Sequence, residues 1–115
     1  MPKALPLLVD ASPICCDPLG MVPLTEGNAI ELAVRLKALA DPVRLRLVDH
    51  LVRTPEATTS ELAPLVGLGE PTTNHHLKQL FQAGLVAKRR AGAAVLYSLD
   101  RDAIAALIDV LGCCR

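Results

Sequence analysis

Residues 58–99 read TTSELAPLVGLGEPTTNHHLKQLFQAGLVAKRRAGAAVLYSL and decide the fold. The segment opens with a capping box at 58–61, which predicts a short helix that Pro64 kinks or shortens. The glycine-containing turn at 67–69 separates this helix from a second one, predicted over 70–84. Two helices joined by such a turn are typical of the helix-turn-helix motif.

The second half of the segment predicts a β-hairpin. Residues 85–90 and 94–99 have the composition of two short strands around a glycine-containing turn at 91–93. Upstream, Thr25 and Asp41 are predicted N-caps of two further helices. Helices followed by a hairpin with basic residues on its first strand predict a winged helix-turn-helix, which is mainly α with a small β-hairpin.

The two ends of the chain differ from its middle. Residues 1–24 hold five of the nine prolines and predict an extended N-terminal arm, whereas 25–112 are predicted to form a winged-helix DNA-binding domain and 113–115 a C-terminal thiol tail. Asp100 is a predicted cap for a last helix that is apolar around most of its circumference. Because such a helix is normally buried on several sides, we expect a homodimer through the first and last helices.

Length and composition exclude several classes of protein. A chain of 115 residues is expected to form one core, and with only two aromatic residues that core is aliphatic. No apolar run approaches the roughly twenty residues of a membrane span, and the proline-interrupted start does not resemble a signal peptide. These features predict a cytoplasmic protein, in which thiols stay reduced.

The charges are balanced overall but unevenly placed. Twelve basic and twelve acidic residues give a net charge of zero, which by itself argues against nucleic-acid binding. However, residues 71–99 contain Lys78, Lys88, Arg89 and Arg90 and no acidic residue. A neutral protein with one basic stretch can hold a phosphate backbone on that face.

All four cysteines occur in two adjacent pairs, Cys15-Cys16 and Cys113-Cys114. Adjacent thiols do not easily form a disulfide with each other without straining the peptide between them, but both can bind one soft ion. Zinc sites usually use cysteines two to four residues apart, so this spacing does not favour zinc. The pairs predict a site for a soft metal or metalloid; the alternative is a C-terminal tail without a role.

Three ordered motifs resemble the ArsR/SmtB repressors. They are ALADPVRL at 38–45, GL at 67–68 followed by PTTNHHLKQL at 71–80, and AGLV at 83–86. The resemblance covers residues 25–112. It implies a dimeric winged helix-turn-helix repressor that binds operator DNA and releases it when a metal or metalloid binds. The arm that carries Cys15-Cys16 is similar to that of arsenic-responsive members with an N-terminal vicinal pair.

The second helix of the motif is then the DNA-reading helix. With Leu77, Leu80 and Phe81 facing inward, its opposite face presents polar side chains that can contact base edges and phosphates, unless it is an ordinary solvated surface. His76 is expected to pack or hydrogen-bond, and Glu70 to face away from phosphate. The predicted DNA-binding residues are Thr72, Asn74, His75, Lys78 and Gln79 on this helix and Lys88, Arg89 and Arg90 on the wing.

Two sensing sites common in the family have no counterpart in this sequence. The third helix lacks a Cys-x-Cys, and the last helix has Asp102 and Asp109 but no histidine. The predicted metal ligands are therefore Cys15, Cys16, Cys113 and Cys114. Trivalent arsenic or antimony takes three thiolates, and we expect two from the N-terminal pair and one from the C-terminal pair of either subunit.

Other interpretations stay open at this point. Four thiolates could hold cadmium or lead, the thiols could respond to oxidation, and a methylated arsenical would need only one pair. A thiol-rich metal carrier or a winged-helix protein-interaction module are the candidates from other classes. No constitutive cofactor is predicted. Catalysis is not predicted either, because no nucleophile, base and third group recur at a recognisable spacing.

Overall fold

The computed structural model describes residues 24–111, which contain five helices and three short strands. The order confirms the predicted winged helix-turn-helix. Residues 35–100 form one compact unit, and the described residues on either side of it, 24–34 and 101–111, form a second. The elements are α1 (Glu26–Leu39), α2 (Pro42–Arg53), β1 (Ala57–Thr58), α3 (Thr59–Val66), α4 (Glu70–Gln82), β2 (Val86–Ala91), β3 (Ala94–Leu99) and α5 (Arg101–Leu111).

Polar caps start the helices where the sequence predicts them. Thr25 Oγ1 accepts the backbone N–H of Asn28 at 3.1 Å, and Asp41 caps α2. At the start of α3, Thr58 Oγ1 accepts the N–H of Glu61 at 3.2 Å, while Glu61 Oε1 accepts the N–H of Thr58 at 2.8 Å. These bonds satisfy N–H groups that the first turn of a helix leaves without partners. The capping box is thereby confirmed.

The helix-turn-helix packs around an aliphatic core, as predicted. Its leucines are drawn from α2, α3, α4 and the residue before β2, and each is fully buried: Leu47, Leu51, Leu62, Leu77, Leu80 and Leu85. The short helix α3 continues through Pro64 and ends at Val66. No described helix is long and apolar enough to cross a membrane.

Gly67 ends α3 in the left-handed conformation, with φ 70° and ψ 28°. We expect Gly67→Ala to lower the free energy of unfolding by about 1 kcal/mol, because a residue with a Cβ is strained in this conformation. A Cβ there would meet no atom within 4 Å, so the penalty is confined to the backbone. Chemical denaturation measures the change.

Gly27 provides a control of opposite sign. It lies in the first turn of α1, and a Cβ added to it would also meet nothing within 4 Å. Gly27→Ala should therefore leave stability unchanged or raise it slightly, since alanine favours the helix. Equal effects of the two substitutions would contradict the conformational explanation.

The strands form one antiparallel sheet in the order β1-β3-β2. The hairpin is confirmed, but its turn is tighter than predicted. Ala91 pairs with Ala94, so that only Gly92, at φ 65°, and Ala93 form the turn. The strand β1 was not predicted, because two residues are too few to produce an alternating pattern. It pairs with Leu96 and Tyr97 of β3.

Candidate nucleic-acid interface

The predicted DNA-reading helix α4 buries one side and exposes the other. Leu77 and Leu80 have no exposed surface, as predicted, and Thr73 on the same side is also fully buried. The exposed positions include Thr72, Asn74, His75 and Lys78, whereas Gln79 is half-buried. The prediction for Phe81 was wrong: the side chain was expected to face inward, but the residue is 39 % exposed.

The exposed ring of Phe81 contacts the wing. Nζ of Lys88 lies 4.5 Å from the ring centroid, a distance at which an ammonium group and an aromatic face attract each other. The contact joins the last turn of α4 to β2 and places a cation beside the DNA-reading helix. The sequence prediction failed here because helical spacing alone does not reveal an aromatic ring that pairs with a cation.

Arg89 of the wing is already paired with an acidic residue. Its Nε and Nη2 donate to Glu56 Oε2 and Oε1 at 2.6 and 2.8 Å. Side chains alternate along a strand, so Arg89 lies on the face of β2 opposite to Lys88 and Arg90. The absence of acidic residues from 71–99 therefore overstated the positive charge of the wing, since Glu56 comes from a segment outside that window.

Neutralising Glu56 should strengthen DNA binding. In Glu56→Gln, Arg89 loses its ion pair and can reach a phosphate. Affinity for duplex DNA should rise severalfold at low salt, and the salt slope should steepen by about 0.9 for each new phosphate contact. Binding isotherms over a series of salt concentrations give both quantities.

Asp49→Asn is the matched control, because Asp49 is an exposed acid of α2 paired with Arg53 within the same helix. It changes the net charge equally and should leave the salt slope unchanged. An unchanged slope in Glu56→Gln as well would show that Arg89 does not meet phosphate.

The pH dependence of this ion pair has a defined sign. The hydrogen bond from Arg89 lowers the pKa of Glu56 below its usual value. The pair therefore contributes its full stability above the ordinary glutamate pKa and loses it as the pH falls through the lowered pKa of the folded state. Both partners are partly exposed, so the contribution is small.

His75 and His76 have different surroundings. His75 is exposed, whereas His76 is half-buried and its Nδ1 lies 3.2 Å from Nη1 of Arg44. A guanidinium has no acceptor, so in this hydrogen bond Arg44 donates and Nδ1 of His76 accepts. The hydrogen-bonding role predicted for His76 is confirmed. Arg44 also donates through Nε to the carbonyl of Ala38 at 2.6 Å.

A second arginine contacts the C-terminal end of α4. Arg35 of α1 is 4 % exposed, and its Nε donates to the carbonyl of Ala83, the C-cap of α4, at 3.3 Å. A cation is favourable at a helix C-terminus. Its Nη1 is buried and has no hydrogen-bond partner among residues 24–111. Sequence reasoning missed Arg35 because an arginine at a core position looks like an ordinary helix residue.

Two further polar contacts orient α4. Ser60 of α3 donates to Glu70 Oε2 at 3.1 Å, and the phenol of Tyr97 donates to Asn74 Oδ1, also at 3.1 Å. The first directs Glu70 toward α3, consistent with the expectation that it faces away from phosphate. The second joins the sheet to the DNA-reading helix, and no pattern in the sequence indicated it.

The predicted thiol ligands lie outside the described residues. Cys15, Cys16, Cys113 and Cys114 belong to 1–23 and 112–115, and their assignment as ligands stays a prediction. Within 24–111, no group of three or more His, Cys, Asp or Glu residues is placed to hold a metal ion.

A helix-turn-helix domain family matches residues 39–89. The regulator NmtR of Mycobacterium tuberculosis is 37% identical over 87 residues, covering 76% of this chain and 72% of that protein. A biofilm growth-associated repressor of Agrobacterium fabrum is 37% identical over 90 residues, covering 78% and 76%. Relatives this similar over most of their length establish the family. The chain belongs to the ArsR family of transcriptional repressors.

Solved structures agree with this family membership. A possible transcriptional regulator for arsenical resistance is 36% identical with a TM-score of 0.60, covering 64% of this chain and 75% of that one. The antimony-specific repressor AntR is 28% identical with a TM-score of 0.65, covering 77% and 82%. A homodimeric winged helix-turn-helix domain of Mycobacterium bovis, a possible ArsR-family regulator, is 29% identical with a TM-score of 0.64, covering 79% and 89%. Like these, this ArsR-family chain is a DNA-binding regulator and not an enzyme.

Proposed function

We propose that this ArsR-family protein is a dimeric repressor that binds operator DNA through α4 and the β2–β3 wing. The observation that carries the DNA-binding assignment is the polarity of α4, whose buried side is apolar apart from Thr73 and whose exposed side presents Thr72, Asn74, His75 and Lys78. Ammonium, imidazole, amide and hydroxyl groups are those that contact base edges and phosphates in a major groove.

The dimer is supported by apolar side chains that a single chain leaves exposed. In α1, Ile30 is 57 % and Val34 is 49 % exposed, and Ile108 and Leu111 of α5 are also exposed. Large aliphatic groups on two elements of one unit are expected to be covered by another protein surface. A second copy of the chain fits, since most soluble oligomers are symmetric homo-oligomers.

The inducer proposed is trivalent arsenic or antimony bound by cysteine thiolates. Support comes from the two adjacent pairs, Cys15-Cys16 and Cys113-Cys114, which together offer enough thiolates for a three-coordinate site. Related structures include a possible regulator for arsenical resistance and an antimony-specific repressor. The third ligand is Cys113 or Cys114, from the same or the partner subunit.

Fluorescence anisotropy of the reduced protein on its own upstream DNA tests the proposal. We expect salt-dependent binding by a dimer and release on titration with arsenite or antimonite but not with zinc. Release by cadmium or lead would instead support a four-thiolate site for those ions. If none of the ions changes operator affinity but mild oxidation abolishes binding, the protein would instead be a thiol-redox-responsive repressor.

A further inference from the structure

Tyr97 connects the centre of the wing sheet to the DNA-reading helix. It lies on the middle strand β3, paired with Lys88 on one side and Ala57 on the other, and is 5 % exposed. Its hydroxyl donates to Oδ1 of Asn74 at 3.1 Å, although the two residues are 23 positions apart in the chain. Asn74 is itself exposed on α4. A buried hydroxyl thus holds one end of an exposed amide.

The chemistry of the two groups decides which end is held. A tyrosine phenol is protonated at neutral pH and can donate, and burial, which raises the pKa of Tyr97 further, favours the same form. A buried phenol proton needs an acceptor, and of the two ends of an asparagine amide only the oxygen accepts. The oxygen of Asn74 therefore points to the sheet, and its NH2 group points away from the contact.

This orientation restricts what Asn74 can recognise. Asparagine reads adenine by using both ends of the amide, the oxygen for the N6 amino group and the NH2 for N7. Because the oxygen is turned toward Tyr97 and one of its two lone pairs is occupied there, the NH2 group is the end of the amide that faces away from the sheet. Lys78 lies one helical turn further along the exposed face, and its ammonium group can donate hydrogen bonds but cannot accept them.

We propose that Tyr97 is a positioning residue for DNA recognition: it fixes the amide of Asn74 so that its NH2 group donates to an acceptor atom of DNA and does not pair with adenine. This inference rests on the proposed DNA-binding function of α4. The acceptor is a phosphate oxygen or an acceptor atom of a base edge, which share the same chemistry.

A double-mutant cycle on operator DNA tests the connection. Tyr97→Phe removes the hydroxyl and keeps the buried ring, and we expect it to lower operator affinity by roughly fivefold or more, the effect of one mispositioned contact in each of the two subunits. In an Asn74→Ala background the same substitution should change affinity by less than about twofold, because the group it positions is gone. Additive effects of the two substitutions would overturn the proposal.

Thr73→Val is the matched control. Thr73 is a neighbouring, fully buried residue of α4 whose hydroxyl has no hydrogen-bond partner among residues 24–111. Removing this hydroxyl should leave operator affinity unchanged. If Thr73→Val and Tyr97→Phe weakened binding equally, the effect of Tyr97→Phe would be one of core packing and the proposal would fail.

Nuclear magnetic resonance of the free protein provides a readout that does not require DNA. The side-chain NH2 resonances of Asn74 should change in Tyr97→Phe, while those of Asn28, the other asparagine of the chain, serve as the reference. Unchanged Asn74 resonances would overturn the positioning role. Failure of the wild-type protein to bind operator DNA would instead count against the proposed function, so the two failures are distinguishable.

Operator variants distinguish the two kinds of acceptor. If Asn74 contacts phosphate, Asn74→Ala should weaken binding to all sequences equally and reduce the salt slope; if it contacts a base, the loss should be confined to one base pair. A further variant tests whether the amide oxygen of Asn74 accepts from adenine: a contacted adenine is replaced by the unsubstituted base purine, which lacks the 6-amino group. A loss of affinity with purine that disappears in Asn74→Ala would show that the amide oxygen reads adenine, contrary to the proposal.

Discussion

Replacing both N-terminal cysteines, in Cys15→Ser/Cys16→Ser, should abolish release by arsenite while leaving operator binding intact. Serine keeps the size of the side chain but removes the soft thiolate that a metalloid requires. In the wild-type protein we expect the inducer to lower operator affinity by roughly 5- to 150-fold, the usual range of a coupling between two sites. In the variant the ratio of affinities with and without arsenite should be close to one, measured by anisotropy.

The C-terminal pair supplies the comparison. If it contributes one ligand to a three-thiolate site, Cys113→Ser and Cys114→Ser should differ from each other in the arsenite concentration needed for release. A methylated arsenical, which needs two thiols, should still release both single variants. Full arsenite response in Cys15→Ser/Cys16→Ser would refute the proposed thiol site but not the assignment as an ArsR-family repressor.

The second large effect is expected at Lys78. A lysine on the exposed face of a DNA-reading helix can donate to guanine or phosphate, and loss of one such contact is worth about 1 kcal/mol or more. Because a dimer loses two contacts, Lys78→Ala should weaken operator binding by roughly thirtyfold or more. If the contacts are to phosphate, the salt slope should also fall by about 2. Affinities over a range of salt concentrations check both values.

Lys37→Ala is the control for loss of charge alone. Lys37 is an exposed lysine in the last turn of α1, outside the predicted DNA-binding residues. Its removal changes the net charge by the same amount and should alter operator affinity by less than about twofold, since an exposed charge that makes no contact with DNA is largely screened by salt. Equal effects at Lys37 and Lys78 would refute a specific contact by α4.

Local signals explain why much of the fold could be predicted. Capping residues act within a few positions along the chain, so Thr58 and Glu61 mark the start of α3 without knowledge of the rest. The hairpin was equally local, because strands on either side of a glycine need no distant partner. In contrast, β1 consists of two residues and exists only because β3 lies beside it.

The same distinction between local signals and distant partners applies to the candidate site. Exposure of Thr72, His75 and Lys78 followed from helical periodicity once the inward leucines were identified, although Gln79, predicted on the same face, is half-buried. The partners of Arg89, His76 and Asn74 could not be predicted, because Glu56, Arg44 and Tyr97 lie on other segments of the chain. Pairings across distant segments depend on tertiary packing, and a single sequence contains no local pattern for them.

The buried guanidinium of Arg35 has a mechanical consequence. The guanidinium of an arginine stays charged, and in Arg35 its Nε donates to the carbonyl of Ala83 while its Nη1 has no hydrogen-bond partner among residues 24–111. Any displacement that withdraws this carbonyl must admit water or supply a new acceptor, because a bare buried cation is strongly unfavourable. Intermediate separations of the two groups are therefore expected to be poorly populated. The junction between the last turns of α1 and the end of the DNA-reading helix is expected to switch between two discrete arrangements and not to slide gradually.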